Sequence, residues 1–399
     1  MIQEKLQTPV TEQCDVLVCG GGFAGISAAL AAARQGKKVI LLEKQYMLGG
    51  LGTAGLVTIY LPLCDGCGRQ VSFGIAEELF RLSVSMGAEA QYPANWLDGT
   101  GSRTEKDPRF EVRFNPNLFA LLVEELLLKE GVQILYGTYA VAVDMEADRV
   151  ASVIVENKSG RQAIEAKTVV DATGDSDIAA LAGAPTANFQ QGNVLAAWYY
   201  SLDERGYDLQ TIGFCDIPDE EKKNRGAVPL LHDRRFGGLD GKELSQMMQL
   251  SHHATLENIR LKRQLHPTLV PTSIATIPQI RMTRQIVGEY SMSSADNHTY
   301  MADSVGMVSD WRRRGPVYEV PFRALYSHKV KNLICAGRCI GGTEDMWDLM
   351  RVIPCCAVTG QAAGTAAALT EDFVNMDIAV LQKALSDRGV ILHETDLPK

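Results

Sequence analysis

Residues 15–25 read DVLVCGGGFAG, a short apolar run that passes directly into a glycine-rich turn. The glycines of the turn have the spacing Gly-x-Gly-x-x-Gly, an alanine-rich run suited to a helix follows at 26–35, and a second apolar run at 39–42 ends on Glu43. Strand, turn, helix, strand and carboxylate follow in the order of a dinucleotide-binding βαβ unit. The sequence therefore predicts a dinucleotide site near the start of the chain.

The acid after the second apolar run helps to select the dinucleotide. Glu43 lies 18 residues after Gly25, where a carboxylate accepts hydrogen bonds from ribose hydroxyls and disfavours the 2′-phosphate of NADP. NAD and FAD remain. A second glycine cluster at 49–55 (GGLGTAG) offers the backbone another close approach, where a long cofactor extends towards its reactive ring. NAD-dependent dehydrogenases do not usually need this cluster, so FAD is the predicted cofactor.

The composition is that of an enzyme rather than of a nucleic-acid-binding protein. The chain of 399 residues is long enough for two interleaved domains, and its net charge of −9 disfavours nucleic acid or an anionic membrane as a partner. The one dense basic run, at 312–314, is interpreted as a solvated loop. There is no run of 18 apolar residues and no signal-like amino terminus, and the nine cysteines indicate a reducing compartment. We therefore expect a cytoplasmic protein, with the oligomeric state left open and a homodimer as one option.

Three separated parts of the chain resemble the FAD-dependent oxidoreductases of the two-dinucleotide-binding-domain flavoprotein superfamily. They are the glycine turn with Glu43 and the second glycine cluster, residues 168–175 (TVVDATGD), and residues 332–338 (NLICAGR) followed by Arg351 and the small-residue run at 360–368. Residues 281–289 and 318–325 are similar to a bacterial subfamily that is distantly related to the fumarate-reductase flavoproteins. The resemblance spans nearly the whole chain and specifies the fold and cofactor rather than the substrate.

The resemblance implies an α/β fold with two domains. A Rossmann-like FAD-binding domain, a parallel sheet plus a β-meander, would comprise residues 1–60, 114–186 and 329–399, and an inserted α+β substrate domain would comprise residues 61–113 and 187–328. FAD would be bound noncovalently. The implied cofactor-binding residues are Gly20, Gly22, Phe23, Ala24, Gly25, Glu43, Lys44, Gly49, Gly50, Thr53, Val141, Ala172, Thr173, Gly174, Gly337, Arg338 and Arg351.

One position departs from the superfamily pattern. Many members carry Gly-Asp or Gly-Glu in the third segment, where the acid binds ribityl hydroxyls, whereas this chain has Gly337-Arg338. The ribityl contact must therefore come from another residue. Whether Arg338 faces a phosphate or the flavin is left open.

Periodicity predicts the remaining elements. The leucine spacing predicts an amphipathic helix over 115–130, which Gly131 ends. The other predicted elements are strands over 132–143, 150–157 and 169–170, helices over 242–265 and 378–388, and a short strand over 390–392.

Arginine and carboxylate side chains are the candidates for work on the substrate, since a flavin supplies the hydride chemistry. An arginine binds a carboxylate through two hydrogen bonds or, in fumarate-reductase-like chemistry, delivers a proton, and an ordinary ion pair is the alternative for each one. An acid would serve as general base for an alcohol hydroxyl. The candidates are Arg281, Arg284, Arg338, Arg351, Glu344, Asp345 and Asp348, from which we select Arg281, Arg284, Asp345 and Arg351 as the catalytic set. Nearby aromatic residues suit a sugar or polyol ring, although aromatics are more often core residues: Trp198, Tyr199, Tyr200 and Trp347.

Other motifs carry less information. No second Gly-x-Gly-x-x-Gly turn follows an apolar strand, so electrons would reach or leave the flavin through the substrate pocket, dioxygen or a separate carrier. Cys64 and Cys67 have the spacing of a redox disulfide or half a metal site, but a tight turn is the favoured interpretation. The adjacent Cys355 and Cys356 are expected to pack, and the histidines are too scattered to form a metal site.

The first hypothesis for function is an FAD-dependent oxidoreductase that transfers a hydride between flavin N5 and a small polar, carbohydrate-derived metabolite. A flavin-dependent reductase of an activated C=C bond is the alternative enzyme. A third hypothesis is an electron-transfer subunit without its own substrate. The inserted segment over 187–328 argues against the third, because a carrier has no need to enclose a second ligand.

Overall fold

A central sheet and two closely packed helices organise the chain. The computed structural model describes residues 2–87, 111–213 and 230–398. The strands are β1 (Val10–Cys19), β2 (Val39–Leu42), β3 (Ile59–Tyr60), β4 (Val112–Arg113), β5 (Gln133–Leu135), β6 (Tyr139–Glu146), β7 (Arg149–Asn157), β8 (Gly160–Asp171), β9 (Thr186–Asn188), β10 (Tyr199–Asp203), β11 (Gly206–Gln210), β12 (Val270–Ile274), β13 (Arg284–Ile286), β14 (Ser304–Ser309), β15 (Val317–Pro321) and β16 (Leu333–Cys335). The helices are α1 (Phe23–Ala33), α2 (Ile75–Val84), α3 (Pro116–Lys129), α4 (Asp177–Leu181), α5 (Gly241–Lys262), α6 (Glu344–Met350), α7 (Ile353–Leu369) and α8 (Ile378–Ser386).

The central sheet has the strand order β5-β2-β1-β8-β7-β6, with β16 beside β8. Strands β5, β2, β1, β8 and β16 pair in parallel, while β6, β7 and β8 form an antiparallel meander. The long strand β8 joins the two parts, since its first half pairs with β7 and its last three residues pair with β16. The predicted Rossmann-like α/β fold, a parallel sheet plus a β-meander, is confirmed.

Two helices rich in small residues pack against each other beside this sheet. Nearly every residue of α1 and α7 is buried. A Cβ atom on Gly360 would lie 2.2 Å from the carbonyl oxygen of Ala24, and one on Gly364 would lie 2.0 Å from that of Ala28. Glycine is therefore required at both positions for the two backbones to approach this closely. The small-residue run at 360–368 brings α7 against the helix that follows the glycine turn.

The remaining described segments form smaller sheets. Strands β10, β11 and β12 make an antiparallel sheet that packs on α5 through a cluster containing Tyr199, Ile259 and Leu269, and β9 pairs with β13. The hairpin β14–β15 shares the hydrophobic cluster of α1 and α7 through residues such as Val305 and Val320. The domain limits stay a prediction, and residues 88–110 and 214–229 of the predicted inserted domain lie outside the described residues.

Most of the predicted elements are confirmed and two are wrong. Helix α3 follows Asn115, whose side chain accepts a hydrogen bond from the N–H of Leu118 at 3.0 Å, and α5 covers most of 242–265. The single strand expected over 132–143 is two strands, because the chain turns between β5, which joins β2, and β6, which joins β7. Residues 390–392 are not a strand, and the carbonyl oxygen of Leu392 accepts a hydrogen bond from Ser304 Oγ at 2.6 Å.

The basic run at 312–314 was expected to be a solvated loop, and this is wrong for its first residue. Arg313 and Arg314 are exposed, but the side chain of Arg312 is only 3% exposed. It pairs with the buried Asp310, which offsets the cost of removing the guanidinium group from water.

Within the described residues, no single helix is both long and apolar enough to cross a membrane. The pair α6–α7, bent by 85°, meets that test only when its two helices are taken together, by length and composition alone. Both helices are largely buried in the protein.

Candidate active site

The glycine turn between β1 and α1 leaves open space at the start of the helix. Gly20 has a φ of +108°, and a Cβ atom there would lie 2.4 Å from the carbonyl oxygen of Ala172, so the turn packs against the end of β8. A Cβ atom on Gly22, in contrast, would meet no atom within 4 Å. Gly22 caps α1 without a side-chain hydrogen bond, and the first helical turn holds no acid. The free N–H groups and the positive end of the helix dipole therefore fit a pyrophosphate at this position.

The first residues of α1 support the turn from behind. A Cβ atom on Gly25 would lie 1.7 Å from the carbonyl oxygen of Gly20, which fixes the close packing of helix and turn. Phe23 and Ala24 are buried, and the Phe23 ring stacks on Phe119 with 4.8 Å between ring centroids. The predicted contribution of Phe23 and Ala24 to the cofactor site is therefore that of their backbone.

Glu43 ends β2 beside this turn, where the backbone holds its carboxylate. The carboxylate is buried and accepts hydrogen bonds from the N–H groups of Gly21 at 2.9 Å and Gln45 at 2.7 Å. Burial raises the pKa of the Glu43 carboxyl group above its ordinary value despite these two hydrogen bonds. Each oxygen keeps a lone pair that a ribose hydroxyl can use. The neighbouring Lys44 is exposed.

Replacing Glu43 by alanine is expected to weaken FAD binding by about 1–3 kcal/mol, because charge-assisted hydrogen bonds to the ribose are lost. Turnover should return to normal at saturating FAD, since Glu43 is predicted to contact only the adenosine end. Flavin fluorescence titration measures the affinity, with Glu4→Ala at an exposed position as the control. Unchanged FAD affinity in the Glu43→Ala protein would show that the carboxylate does not contact the ribose.

The second glycine cluster lies directly against the first. The N–H of Gly49 donates to the carbonyl oxygen of Gly21 at 2.8 Å, and a Cβ atom on Gly50 would lie 3.3 Å from Cα of Gly22. The buried Thr53 hydroxyl donates to the carbonyl oxygen of Leu48 at 2.5 Å. The two clusters therefore form one continuous backbone surface.

Leu56, which follows this cluster, has a strained backbone. It is buried and has a φ of +56°, a conformation that is costly for a residue with a Cβ atom. Such strain is common at functional sites. Nothing in the sequence distinguishes Leu56 from other leucines, so sequence reasoning missed it.

The end of β8 is shaped by a buried acid. Asp171 accepts hydrogen bonds from the N–H and hydroxyl of Thr173, at 3.1 and 2.6 Å, and from the N–H of Ala179 at 2.9 Å. Burial raises the pKa of Asp171 to about 6. The carboxylate fixes the turn that carries Ala172, Thr173 and Gly174 past the glycine turn.

Arg338 joins three segments of the chain. Its Nε donates to the carbonyl oxygen of Gly174, its Nη1 donates to that of Ile280 at 2.7 Å, and its Nη2 pairs with Asp175 Oδ1 at 2.7 Å. The guanidinium group of Arg338, at the position where many superfamily members have an acid, is thus bound by acceptors of the protein itself. It ties the segments at 172–175 and 332–338 to the inserted segment.

The two candidate arginines of the inserted segment, Arg281 and Arg284, have different surroundings. Arg284 Nη2 pairs with Asp177 at 2.7 Å, which agrees with an ordinary ion pair, the alternative to a role on the substrate. Arg281 is buried with its guanidinium carbon 5.3 Å from the ring centroid of Trp198, and its Nη1 donates to the carbonyl oxygen of Gln279 at 2.7 Å. Arg281 therefore lies against the ring of Trp198, and the catalytic role of both arginines stays a prediction.

Arg351 lies at the junction between α6 and α7. Its Nη2 bonds Asp348 Oδ1 in a buried ion pair. Sγ of Cys356, near the start of α7, donates to the carbonyl oxygen of Arg351 at 3.3 Å. A Cβ atom on Gly337 would lie 3.4 Å from that sulfur and 2.8 Å from Cβ of Ala24. Gly337 therefore lies in a narrow space between Cys356 and Ala24, the second residue of α1.

The two acids at the start of α6 differ in what they contact. Glu344 Oε1 accepts a hydrogen bond from the N–H of Gln190 at 2.9 Å. Asp345 is half-buried and accepts a hydrogen bond from the Thr343 hydroxyl at 2.5 Å. Burial opposes ionisation of Asp345, but hydrogen bonds outweigh it and lower its pKa, which makes this carboxylate a weak proton acceptor.

A cavity of about 420 Å³ opens in the inserted segment, and one of its lining residues, Gln190, donates the hydrogen bond to Glu344. It is lined by Asn188, Phe189, Gln190, Gly237, Leu239, Asp240, Glu243 and Thr283. The Thr283 hydroxyl donates to Asp175 Oδ1 at 2.6 Å, the oxygen that also pairs with Arg338. One hydrogen bond thus connects the cavity wall to the segment at 172–175.

Several predicted residues support the structure around the site. Val141 lies at a bulge in β6 and is half-buried. Tyr199 and Tyr200 are fully buried in the inserted sheet, and Trp347 packs edge-on against Phe189 with 5.7 Å between ring centroids.

The Cys64–Cys67 segment has the geometry of a tight turn. The buried Asp65 carboxylate accepts hydrogen bonds from the N–H groups of Cys67 at 2.7 Å and Arg69 at 3.2 Å, and Cys64 and Cys67 are not joined by a disulfide. This geometry agrees with the tight turn that the sequence analysis favours over a redox disulfide or a metal site.

One group with metal-ligand spacing occurs within the described ranges, at Asp203, Glu204 and His266. Glu204 already accepts hydrogen bonds from His266 and Thr268, and Asp203 pairs with Arg205. These protein contacts account for the cluster.

The fold and the glycine turn define a Rossmann-like, dinucleotide-binding α/β protein. The model of the family described as FAD dependent oxidoreductase matches residues 15–195 and 188–385. The chain belongs to this family, and it is an FAD-dependent enzyme.

Curated relatives match only part of the chain. It is 34% identical over 79 residues to thioredoxin reductase of Ureaplasma parvum serovar 3, with 20% of this chain and 26% of the relative covered. It is 29% identical over 180 residues to a probable electron transfer flavoprotein-quinone oxidoreductase of Escherichia coli K12, with 42% and 38% covered. It is 36% identical over 91 residues to NADH:acrylate oxidoreductase of Vibrio harveyi, with 22% and 9% covered. The chain thus spans less than half the length of each of these relatives.

Solved structures resemble the chain at low sequence identity. A geranylgeranyl bacteriochlorophyll reductase-like protein of Thermoplasma acidophilum has 16% identity and a TM-score of 0.49, with 94% of this chain and 84% of that chain covered. A flavocytochrome c3 fumarate reductase has 14% identity and a TM-score of 0.41, with 90% and 79% covered.

Proposed function

We propose that this enzyme oxidises a small polyol or sugar-derived alcohol by hydride transfer to N5 of noncovalently bound FAD. The cavity of about 420 Å³, whose lining residue Gln190 binds Glu344, is the observation that carries the proposal. Its lining includes two amides, two carboxylates and a hydroxyl, which suit a ligand with several hydroxyl groups. The two carboxylates would repel an unsaturated acid, so the lining favours alcohol oxidation over reduction of an activated C=C bond.

The residues of the chain divide the work between holding the cofactor and handling the proton. FAD, when bound, supplies a two-electron acceptor. The glycine turn would bind its pyrophosphate and Glu43 its ribose, as their geometry suits these groups. The guanidinium group of Arg351 would place a positive charge where negative charge develops on reduction.

Glu344 would act as the general base. The C–H bond of the substrate carbinol breaks with its electron pair leaving as a hydride, the hydroxyl proton passes to the Glu344 carboxylate, and a carbonyl group forms. Glu344 is fixed for this role by the hydrogen bond from Gln190, a residue of the cavity wall.

The electrons must then leave for an external acceptor. The sequence holds no second glycine turn after an apolar strand, so a bound nicotinamide is not the expected acceptor. The proposed partners are therefore a small-molecule substrate and a separate electron acceptor, with neither nucleic acid nor membrane, in the cytoplasm.

Anaerobic mixing of the FAD-loaded protein with a panel of polyols and sugars tests this function. We expect at least one of them to bleach the flavin absorbance. Reoxidation of the pre-reduced protein by unsaturated acids, without bleaching by any alcohol, would instead favour the C=C reductase. No response to either panel would favour the electron-transfer subunit.

Acid precipitation should release yellow flavin into the supernatant, because the cofactor is proposed to be noncovalent. The absorbance spectrum of supernatant and pellet measures this directly. Colour that stays with the pellet would show a covalent link, and a colourless protein that takes up no added FAD would contradict the cofactor assignment.

A further inference from the structure

Four buried side chains of alternating charge connect the hairpin β14–β15 to the start of α7. Asp310 and Asp348 are fully buried, and the side chains of Arg312 and Arg351 are 3% and 8% exposed. The guanidinium group of Arg312 meets Asp310 through two parallel contacts, Nε to Oδ1 at 2.9 Å and Nη2 to Oδ2 at 3.0 Å. This two-pronged geometry fixes the orientation of Arg312.

The same arginine approaches the acid that binds Arg351. Arg312 Nη1 lies 4.0 Å from Asp348 Oδ2, and Asp348 Oδ1 bonds Arg351. Side chains of the hairpin also bind the backbone of α6. Trp311 Nε1 donates to the carbonyl oxygen of Asp348 at 3.2 Å, and Arg312 Nη1 donates to that of Asp345 at 3.0 Å. The order of charges is therefore Asp310, Arg312, Asp348, Arg351, with Arg351 nearest to α7.

Stability alone does not account for this series of four buried charged side chains. Burying paired charges is often no more favourable than packing apolar residues of similar size, whereas removing one member leaves its partner buried and uncompensated. The four charged side chains together determine where the Arg351 guanidinium group points and how much of its charge is neutralised. Arg351 immediately precedes α7, whose start carries neither a side-chain cap nor an acid in its first turn.

We propose that Asp310, Arg312 and Asp348 are positioning residues that set the orientation and effective charge of Arg351 at the cofactor. The inference rests on the proposed placement of Arg351 beside the flavin. Arg312 acts through Asp348 and does not itself touch cofactor or substrate. Its loss would leave excess negative charge beside Arg351 and would disfavour the reduced, negatively charged cofactor.

The test compares Arg312→Gln with Arg313→Gln in the FAD-loaded protein. Arg313 is a matched control because it has the same charge and also contacts Asp310, at 3.2 Å, but its side chain is 55% exposed. We expect Arg312→Gln to lower the flavin midpoint potential and to lower turnover by about tenfold, within the range of coupling between contacting charged residues. Arg313→Gln should leave both unchanged. If Arg312→Gln does not fold, Arg312→Lys, which keeps the charge but loses the two-pronged contact, should give a smaller shift in the same direction.

The double variant Arg312→Gln/Arg351→Gln separates positioning from simple structural support. We expect Arg312→Gln to cause no further shift in potential once Arg351 is absent. Fully additive shifts, or an Arg312→Gln protein that melts at a lower temperature with unchanged potential and turnover, would overturn the inference alone. If Arg351→Gln itself changes neither potential nor turnover, the proposed placement of Arg351 fails and the inference fails with it.

Discussion

The Gly25→Ala protein is expected to lose FAD binding, because the substitution disrupts the turn that receives the pyrophosphate. A Cβ atom at this position would lie 1.7 Å from the carbonyl oxygen of Gly20, a backbone atom that cannot move without displacing the turn. We expect the free energy of unfolding of the apoprotein to fall by about 1–3 kcal/mol, as for other overpacked sites. FAD affinity should fall at least about 100-fold, equivalent to roughly 2.7 kcal/mol.

Gly22→Ala is the matched control, since its added methyl group would meet no protein atom within 4 Å. The apoprotein should melt at the wild-type temperature, yet FAD should bind more weakly because the methyl group occupies the space proposed for the pyrophosphate. Thermal unfolding without cofactor and flavin fluorescence titration separate the two effects. Wild-type FAD affinity in the Gly22→Ala protein would contradict the placement of the pyrophosphate.

Replacing Glu344 by glutamine is expected to lower turnover by about 10²–10⁴-fold, the usual contribution of a general base. The new amide oxygen can still accept the hydrogen bond from Gln190, so FAD affinity and melting temperature should change little. Steady-state kinetics with the alcohol substrate, together with an FAD titration, measure these effects.

Asp345→Asn provides the comparison, because it removes the same charge from the next position. If this variant loses turnover and Glu344→Gln does not, the general base is Asp345, as the sequence predicts. If both variants retain normal turnover, neither acid accepts the proton and the proposed mechanism is wrong.

The cofactor half of the site was largely predictable from sequence because its requirements are local. Gly20 and Gly25 are needed for the turn to pack, Gly22 leaves the space proposed for the pyrophosphate, and Glu43 follows the second strand. The limits of β5 and β6 were missed although Gly137, with a φ of +57°, lies at the turn between them, because one glycine in an otherwise strand-like segment does not show that β5 pairs with β2 and β6 with β7.

The substrate half depends on contacts between residues far apart in sequence. The contact between Glu344 and Gln190, and that between Thr283 and Asp175, exist only after the chain has folded. Arg312 shows the same limit, since a run of three arginines on a loop gives no sign that the first one is buried against Asp310. The sequence therefore predicted candidate acids and arginines without indicating which of them meet.

The most direct test of the central claim is the rate of flavin reduction by a substrate deuterated at the carbinol carbon. FAD-loaded protein is mixed anaerobically with the protiated or deuterated form of the alcohol that bleaches the flavin, and the loss of flavin absorbance is followed in a stopped-flow instrument. Hydride transfer from that carbon to the cofactor predicts slower reduction by the deuterated alcohol and formation of one carbonyl product per flavin reduced. Reduction that occurs only after addition of a separate electron-donor protein, with no carbonyl product from any alcohol, would contradict the account.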